Sequence, residues 1–215
     1  MKKLVIGFGG QARSGKNEAA DHLCEKLNEQ GMLGGWKRAS LGLNVKKIFA
    51  QHFGVSLEFI EEWKVKSEPP EGFNGPIRDG LIKIGDGWRD TKSDIWINKL
   101  FEDNADNLII SDIRYINEAQ ACRGDSDYEY MDDYYGATIL IWRPGFENNK
   151  HSKSEQELMQ FVHALKDMPS GTINNPAIPF DLWLRNDSTR EAWLDKVDHI
   201  VIPYLFKKFA GVTLS

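Results

Sequence analysis

Glycine and lysine residues near the N-terminus have a spacing that is suited to holding a phosphate group. Gly10 and Gly15 are separated by four residues, and Lys16 follows the second glycine directly. In such a loop the backbone N–H groups curl around an anion, and the start of the next helix adds the positive end of its dipole. Lys16 is then placed to contact the β- and γ-phosphate oxygens of a nucleotide. The competing interpretation is an ordinary glycine-rich turn between a strand and a helix.

The residue after this lysine departs from the usual pattern of phosphate-binding loops. Ser or Thr normally stands there and supplies a hydroxyl ligand to Mg²⁺, whereas this chain has Asn17. Asparagine offers a neutral carbonyl oxygen, which is a weaker ligand for a hard cation than a carboxylate. The candidate metal ligands are therefore Asn17 and the carboxylate of Asp112, and we expect the loss of Asp112 to lower activity more than the loss of Asn17.

The elements around the loop predict an α/β fold. An apolar run at 4–8 predicts a strand, and the apolar residues between 20 and 27 recur at helical spacing. Further runs at 36–41, 108–110, 138–142 and 180–184 predict four more strands, with helical patterns between them. This alternation predicts a five-stranded parallel sheet flanked by helices. Ligands gather at the carboxyl ends of such strands, where Gly10, Asp112 and Arg143 fall.

Several helix boundaries can be predicted from capping residues. Ser56 and Ser93 are expected N-caps, the latter for a helix through residue 100. Ser188 and Glu191 have the spacing of a capping box that opens the last helix. Pro203 is expected to kink or end that helix.

Composition narrows the class of protein. The chain has 215 residues, 41% of them hydrophobic, which predicts one domain with insertions. It has no long apolar run, so we expect neither a membrane span nor a signal peptide. A net charge of -5 argues against a nucleic-acid partner. Cys24 and Cys122 are expected to be reduced thiols of a cytoplasmic protein, and five histidines without metal-ligand spacing argue against a zinc site.

Residues 110–119, with the sequence ISDIRYINEA, resemble the sDvRfxNEa signature of phage-type deoxynucleoside monophosphate kinases. Blocks similar to those of the same family follow one another in order, at 13–16, 78–89, 96–97, 141–144, 151–155 and 186–187. The resemblance covers most of the chain. It implies a single P-loop kinase domain over 1–215, with a helical acceptor-binding region at about 42–106 and a lid at about 143–156. An acidic, tyrosine-rich stretch at 122–136 looks like an insertion, and its role is open.

The resemblance implies phosphoryl transfer from ATP, with Mg²⁺, to a deoxynucleoside monophosphate in the cytoplasm, which is the host cytoplasm if the protein is viral. Lys16, Arg13, Asp112 and Arg114 are the candidate catalytic residues. The candidate ATP-binding residues are Gly10, Ala12, Arg13, Ser14, Gly15, Lys16, Asn17, Arg143 and Asn186. Asn186 is also a candidate cap of the last helix, and Asp112 of the helix that follows it.

The acceptor is expected to be bound through arginines, whose planar fork fits a phosphate monoester. Arg78 and Arg89 are eleven residues apart, close to three helical turns, within a stretch at 77–88 that is helix-like despite three glycines. The candidate acceptor-binding residues are Ser40, Lys46, Arg78, Trp88, Arg89, Trp96 and Arg114. Apolar packing is the favoured alternative for Trp96, and a structural role is favoured for His151.

Two alternatives remain open at this point. The chain resembles a kinase, but its acceptor could be a modified nucleotide in DNA or a dephospho-coenzyme. It could also be a module that binds nucleotide without turnover, an option that Asn17 keeps open. The accepted base, the preference for deoxyribose and the oligomeric state, a homodimer included, are not readable from the sequence.

Overall fold

The computed structural model describes residues 3–31, 34–104, 106–124, 134–146 and 153–210, without the side chains of 153–155. The chain divides into two compact units. The first combines Met1–Ala39 with Ala105–Ser215, and the second is Ser40–Asn104. The lid residues 147–152, with His151, and most of the acidic stretch, 125–133, lie outside the described residues.

The described residues of the first unit form a six-stranded sheet, and its strand β1 leads into the glycine-rich loop. The strand order is β2-β3-β1-β4-β6-β5, and every neighbouring pair is parallel except β5 and β6. The strands are β1 (Lys3–Gly10), β2 (Trp36–Ala39), β3 (Asn107–Ile113), β4 (Tyr134–Trp142), β5 (Gly171–Thr172) and β6 (Leu182–Arg185). The predicted α/β class is confirmed. The added strand β5 has two residues and runs antiparallel at the edge, which is too short to leave an apolar run.

Helices connect these strands and also make up the second unit. They are α1 (Lys16–Glu29), α2 (Leu41–Phe53), α3 (Leu57–Trp63), α4 (Ile77–Thr91), α5 (Ile95–Glu102), α6 (Ile116–Arg123), α7 (Lys153–Leu165), α8 (Arg190–Lys196) and α9 (Ile202–Phe209). A π-helical turn, Val197–Val201, joins α8 to α9. Of the described helices, none is both long and apolar enough to cross a membrane.

The core of the first unit forms where helix α1 packs on the sheet. Leu23 and Leu27 lie on one face of α1 and are fully buried with Leu4 and Ile6 of β1. Burying a leucine side chain stabilises a protein by about 1.5–3 kcal/mol. This packing fixes the axis of α1, and therefore the position of the loop that joins it to β1.

The second unit has its own apolar core of Phe49, Ile60 and Ile77. Gly80 lies in the middle of α4, where glycine usually costs stability. A Cβ at this position would lie 2.7 Å from the ring of Phe49, so the absence of a side chain lets the helix approach that ring. The predicted helix at 77–88 is therefore present despite its glycines.

Two of the predicted N-caps are wrong, while the predicted cap at Ser56 is present and accepts a hydrogen bond from the Phe59 N–H at 3.1 Å. Helix α5 is preceded by Asp94 instead of Ser93, because a turn from Lys92 to Ile95 comes first. Thr189 takes the cap of α8, so Glu191 lies too early in the helix to form a capping box with Ser188.

The α-helix that begins at Arg190 ends at Lys196, ahead of Pro203, and a π-helical turn separates it from α9. The π-helical turn shifts the hydrogen-bond pattern, with the Ile202 N–H bonded to Val197 O. Pro203 then falls in the first turn of α9, where its missing N–H is not required. The π-helical turn thus places Pro203 where it breaks no α-helical hydrogen bond.

Candidate active site

The loop between β1 and α1 has the backbone geometry of an anion cradle. Three of its residues have positive φ angles: Gly10 (131°), Arg13 (62°) and Gly15 (95°). A Cβ at Gly10 would lie 2.0 Å from the carbonyl oxygen of Ile141, and one at Gly15 would lie 2.6 Å from Asn186 Nδ2. Both glycines are therefore required by conformation and by space. Left-handed residues among ordinary ones turn successive N–H groups toward one side, which is the geometry that holds phosphate.

Lys16 begins helix α1 and reaches back over the loop. Its Nζ donates hydrogen bonds to Gln11 O at 2.5 Å and to Ser14 Oγ at 3.4 Å. The ammonium therefore lies beside the helix N-terminus, where two sources of positive potential combine. Arg13 and Asn17 are exposed, and Ala12 is half-buried. The loop residues predicted from the sequence thus lie together between β1 and the first turn of α1, and their part in ATP binding stays a prediction.

The loop is fixed to the carboxyl ends of two strands. Asn186, which is 5% exposed, donates from Nδ2 to Ser14 O at 3.0 Å and from its backbone N–H to Trp142 O at 2.8 Å. Gln11 Nε2 donates to Arg143 O at 2.7 Å. The interpretation of Asn186 as a helix cap is wrong, because Thr189 caps α8 and Asn186 braces the loop instead. Its part in ATP binding stays a prediction.

Strand β3 brings Asp112 beside the end of β1. The pairing of β1 with β3 steps from Gly7–Ile110 to Gly9–Ile113, which leaves one extra residue on β3. Such a bulge redirects side chains and is frequent next to active sites. Ser111 is buried while Asp112 is only half-buried. Asp112 lies within the strand, so the alternative that it caps the next helix is wrong, since Tyr115 is the cap residue of α6.

Two carboxylates hold the segment that follows Asp112. Glu118 Oε2 accepts from the N–H groups of Arg114 and Tyr115 at 2.8 and 3.2 Å, and Glu157 Oε1 accepts from the Ile116 N–H at 2.8 Å. The side chain of Arg114 is exposed. The backbone of Arg114 is thus fixed while its guanidinium reaches solvent.

The Cys122 thiol behind this segment is shielded from solvent. Cys122 is 3% exposed, and burial, together with the negative charges of Glu118 and Asp112, raises the pKa of the thiol. Burial also raises the pKa of Cys24. Both cysteines are free, as predicted.

A cavity of about 440 Å³ opens beside Asn186, at the carboxyl end of β6. Arg185, Asp187 and Lys196 line one side of it, and residues 167–170 line the other. Lys196 Nζ donates to Arg185 O at 2.6 Å and to Asp187 Oδ1 at 3.2 Å. The Arg185 guanidinium lies 5.2 Å from the ring centroid of Trp142. No pattern in the sequence predicted this cavity.

Helix α4 of the second unit carries both arginines that were expected on one helix. Arg78 is exposed near its start, and Arg89 near its end is 18% exposed. Arg89 is 3.5 Å from Gly85 O and 3.8 Å from the carboxylate of Asp86. Arg89 is thus already held by its own helix, whereas Arg78 reaches solvent.

Two tryptophans of the second unit form a stacked pair with different exposure. The rings of Trp88 and Trp96 are 5.4 Å apart and nearly parallel, and Trp88 is 44% exposed. Trp96 is 1% exposed and donates its indole N–H to Gly85 O at 2.9 Å. The favoured alternative for Trp96, packing, agrees with this burial, because its ring supports Trp88 from behind.

The remaining acceptor candidates of the second unit lie on α2. Lys46 forms an ion pair of 2.6 Å with Glu61, and Ser40 is the cap residue of α2. Burial opposes ionisation of Glu61, but hydrogen bonds from Lys46 and Lys64 outweigh it and lower the pKa of that carboxyl. Lys46 is therefore already paired with an ionised carboxylate.

The described side chains limit what kind of metal site can form. No group of three or more His, Cys, Asp or Glu side chains suited to a metal occurs among them. Magnesium in phosphate sites keeps several waters and takes one or two carboxylates together with substrate phosphates. Asp112 beside the cradle, with Asn17 at the start of α1, fits that mode of binding.

Comparisons with known proteins identify no family for this chain. No protein-family model matches it, and no curated protein matches it. Among solved structures, dephospho-CoA kinase from Campylobacter jejuni is 12% identical, with a TM-score of 0.39, over 99% of this chain and 100% of that one. Thymidylate kinase from Ehrlichia chaffeensis is 13% identical, with a TM-score of 0.40, over 95% and 100%. At these scores the likeness carries no argument about activity or acceptor.

Proposed function

We propose that this protein is an ATP-dependent kinase that converts deoxynucleoside monophosphates to diphosphates. The observation that carries the proposal is the cradle of Gly10–Lys16, closed by Lys16, with Asp112 on the neighbouring strand β3 and Arg114 directly after that strand. The resemblance of residues 110–119 to the signature of that family supports the acceptor class. The cavity beside Asn186 is large enough to receive part of the donor nucleoside.

In the proposed reaction an oxygen of the acceptor monophosphate attacks the γ-phosphorus of ATP, and the bond to the β,γ-bridging oxygen breaks to release ADP. Such transfer depends on alignment of the two substrates and on stabilisation of negative charge. Lys16 and the loop N–H groups neutralise the β- and γ-phosphates, and Arg13 adds a second cation. Arg114 binds the acceptor phosphate. Bound Mg²⁺, held by Asp112 and Asn17, would neutralise phosphate charge.

The decisive test is a coupled ADP-release assay with ATP, Mg²⁺ and a panel of acceptors. The panel contains the common deoxy- and ribonucleoside monophosphates, dephospho-coenzyme A, and single- and double-stranded DNA. We expect turnover with one or more deoxynucleoside monophosphates. Turnover only with dephospho-coenzyme A or DNA would replace the acceptor, and nucleotide binding without any turnover would establish the binding-module alternative.

Lys16→Met tests the phosphate loop directly, because methionine keeps most of the length of the side chain and removes its charge. Loss of one preorganised electrostatic contact costs about 10²–10³ in rate, so kcat should fall by that factor. Lys26→Met is the matched control, since it removes a lysine from the last turn of the same helix. Equal turnover in a folded Lys16→Met variant would contradict the assignment of the loop.

A further inference from the structure

The backbone at the start of α6 is held from two directions. Glu118 belongs to α6 itself and binds the N–H groups of Arg114 and Tyr115, whereas Glu157 belongs to α7 and binds the Ile116 N–H, 41 residues away in sequence. These three N–H groups are consecutive. Near a helix N-terminus such groups lack partners within the helix and favour negative charge. Two carboxylates therefore satisfy donors that would otherwise be exposed or bound to a ligand.

Glu157 is itself anchored by the packing of its own helix. Leu158 and Val162 of α7 are 2% and 1% exposed. A Cβ at Gly9, one residue before the start of the cradle, would lie 3.4 Å from Leu158 Cδ1. Helix α7 is thus fixed against β1. The Glu157 carboxylate, next to Leu158, therefore binds the start of α6 from a fixed position.

We propose that Glu157 is a positioning residue that sets the direction of Arg114 toward the acceptor phosphate. The inference rests on the proposed function, in which Arg114 contacts that phosphate. The Arg114 side chain is exposed, so its direction depends on the backbone from 114 to 116. Glu118 fixes the first two N–H groups of this segment, and Glu157 accepts the hydrogen bond from the third. Removing Glu157 releases one end of the segment and leaves the cradle of Gly10–Lys16 intact.

The first test compares Michaelis constants for the two substrates, with the best acceptor of the panel. Glu157→Ala should raise KM for the monophosphate about tenfold and leave KM for ATP within about twofold. Glu157→Gln keeps an oxygen that accepts from Ile116, so its KM should stay within about threefold of the wild-type value. His163→Ala is the matched control, since it changes an exposed residue in the last turn of α7. Equal increases in both constants would overturn the inference.

A double-mutant cycle tests whether Glu157 acts through Arg114. In an Arg114→Ala background the further change Glu157→Ala should leave KM for the monophosphate unchanged within about twofold, because residues that act as a unit are not additive. A full tenfold effect in that background would show that Glu157 does not work through Arg114.

Amide hydrogen exchange gives a readout that needs no turnover. In Glu157→Ala the Ile116 N–H should exchange at least about tenfold faster, while the Arg114 and Tyr115 N–H groups, bound to Glu118, change less. The isosteric Glu157→Gln variant and calorimetric titration of the same monophosphate keep the test usable if Glu157→Ala folds poorly. Glu157→Met, which keeps the length of the side chain but removes both oxygens, takes the place of Glu157→Ala if that variant folds poorly. If the protein bound monophosphate without transferring phosphate, the proposed function would fail, yet weaker binding in the variant that lacks the Glu157 carboxylate would still support the positioning role. Unchanged exchange at Ile116 would overturn it.

Discussion

Asn186→Asp offers a sharp test of how the phosphate loop is held in place. The substitution keeps the shape of the side chain but replaces a donor with an acceptor, 3.0 Å from the carbonyl oxygen of Ser14. The site is 5% exposed, so water is not available to replace the lost hydrogen bond. A buried group left unsatisfied costs about 1–3 kcal/mol, and an unpaired buried charge adds to that cost. We expect the free energy of unfolding to fall by about 2–4 kcal/mol near neutral pH.

The pH dependence of the stability of Asn186→Asp shows whether the buried carboxyl causes the loss. Burial without a charged partner should raise the pKa of the introduced carboxyl above its unfolded value of about 3.9. The folded variant then binds more protons than the unfolded chain over the interval between the two values. Its stability relative to wild type is therefore greatest at low pH, where the protonated carboxyl can donate to Ser14 O, and is lost as pH rises through the folded pKa.

Urea denaturation from pH 4 to 8 measures this difference, and Asn175→Asp is the matched control. Asn175 is exposed and uses its side-chain oxygen as an acceptor for the Ala177 N–H, which a carboxylate also satisfies. The control should change stability by no more than about 0.5 kcal/mol. Titration with ATP should also show at least about tenfold weaker binding in Asn186→Asp, equivalent to about 1.4 kcal/mol. Stability and affinity as in the control would refute the bracing role of Asn186.

Three further predictions concern the loop, the metal and the thiols. Gly10→Ala should lower the free energy of unfolding by at least about 3 kcal/mol in urea denaturation, because the new Cβ meets a backbone oxygen at 2.0 Å. Gly31→Ala is the control, since Gly31 also has a positive φ but has open space around it, and this variant should lose only about 1 kcal/mol. Activity should require Mg²⁺. Asn17→Ala should lower kcat about tenfold, equivalent to about 1.4 kcal/mol, and Asp112→Ala should lower kcat at least about ten times further. The reverse order would place the metal at Asn17. Since burial raises the pKa of both thiols, Ellman's reagent should react with neither cysteine in the native protein and with both after unfolding, and fast labelling of the native protein would contradict their burial.

Sequence periodicity predicted the parts of this fold that local pattern determines. The five long or buried strands leave apolar runs, and α1 leaves a helical apolar face, so these elements are present where they were expected. Ser56 caps α3 as predicted, because its hydroxyl acts on the next turn of its own chain. Strand β5 was not predicted, because a strand of two residues is too short to show a periodic pattern.

Predicted helix boundaries were wrong where adjacent residues can both act as the N-cap. Ser188 and Thr189 are both acceptable caps by residue type, and the choice between them follows from how the preceding residues are held. Asp187 forms ion pairs with Arg185 and Lys196, and these contacts fix the chain just before the helix. Such tertiary contacts have no signature in the local sequence.

The candidate site shows the same division between local and distant causes. The glycine spacing that makes the cradle is local and was readable, yet the bonds that hold it come from Arg143 and Asn186, which are 132 and 172 residues from their partners in the loop. The same holds for Glu157, which reaches Ile116 from another helix. Because a phosphate-binding loop acts through N–H groups whose directions must be fixed in advance, we expect these distant residues to contribute to the proposed function without touching the substrate. Substitutions at Gln11, Asn186 or Glu157 should therefore alter binding more than their distance from the phosphate position would suggest.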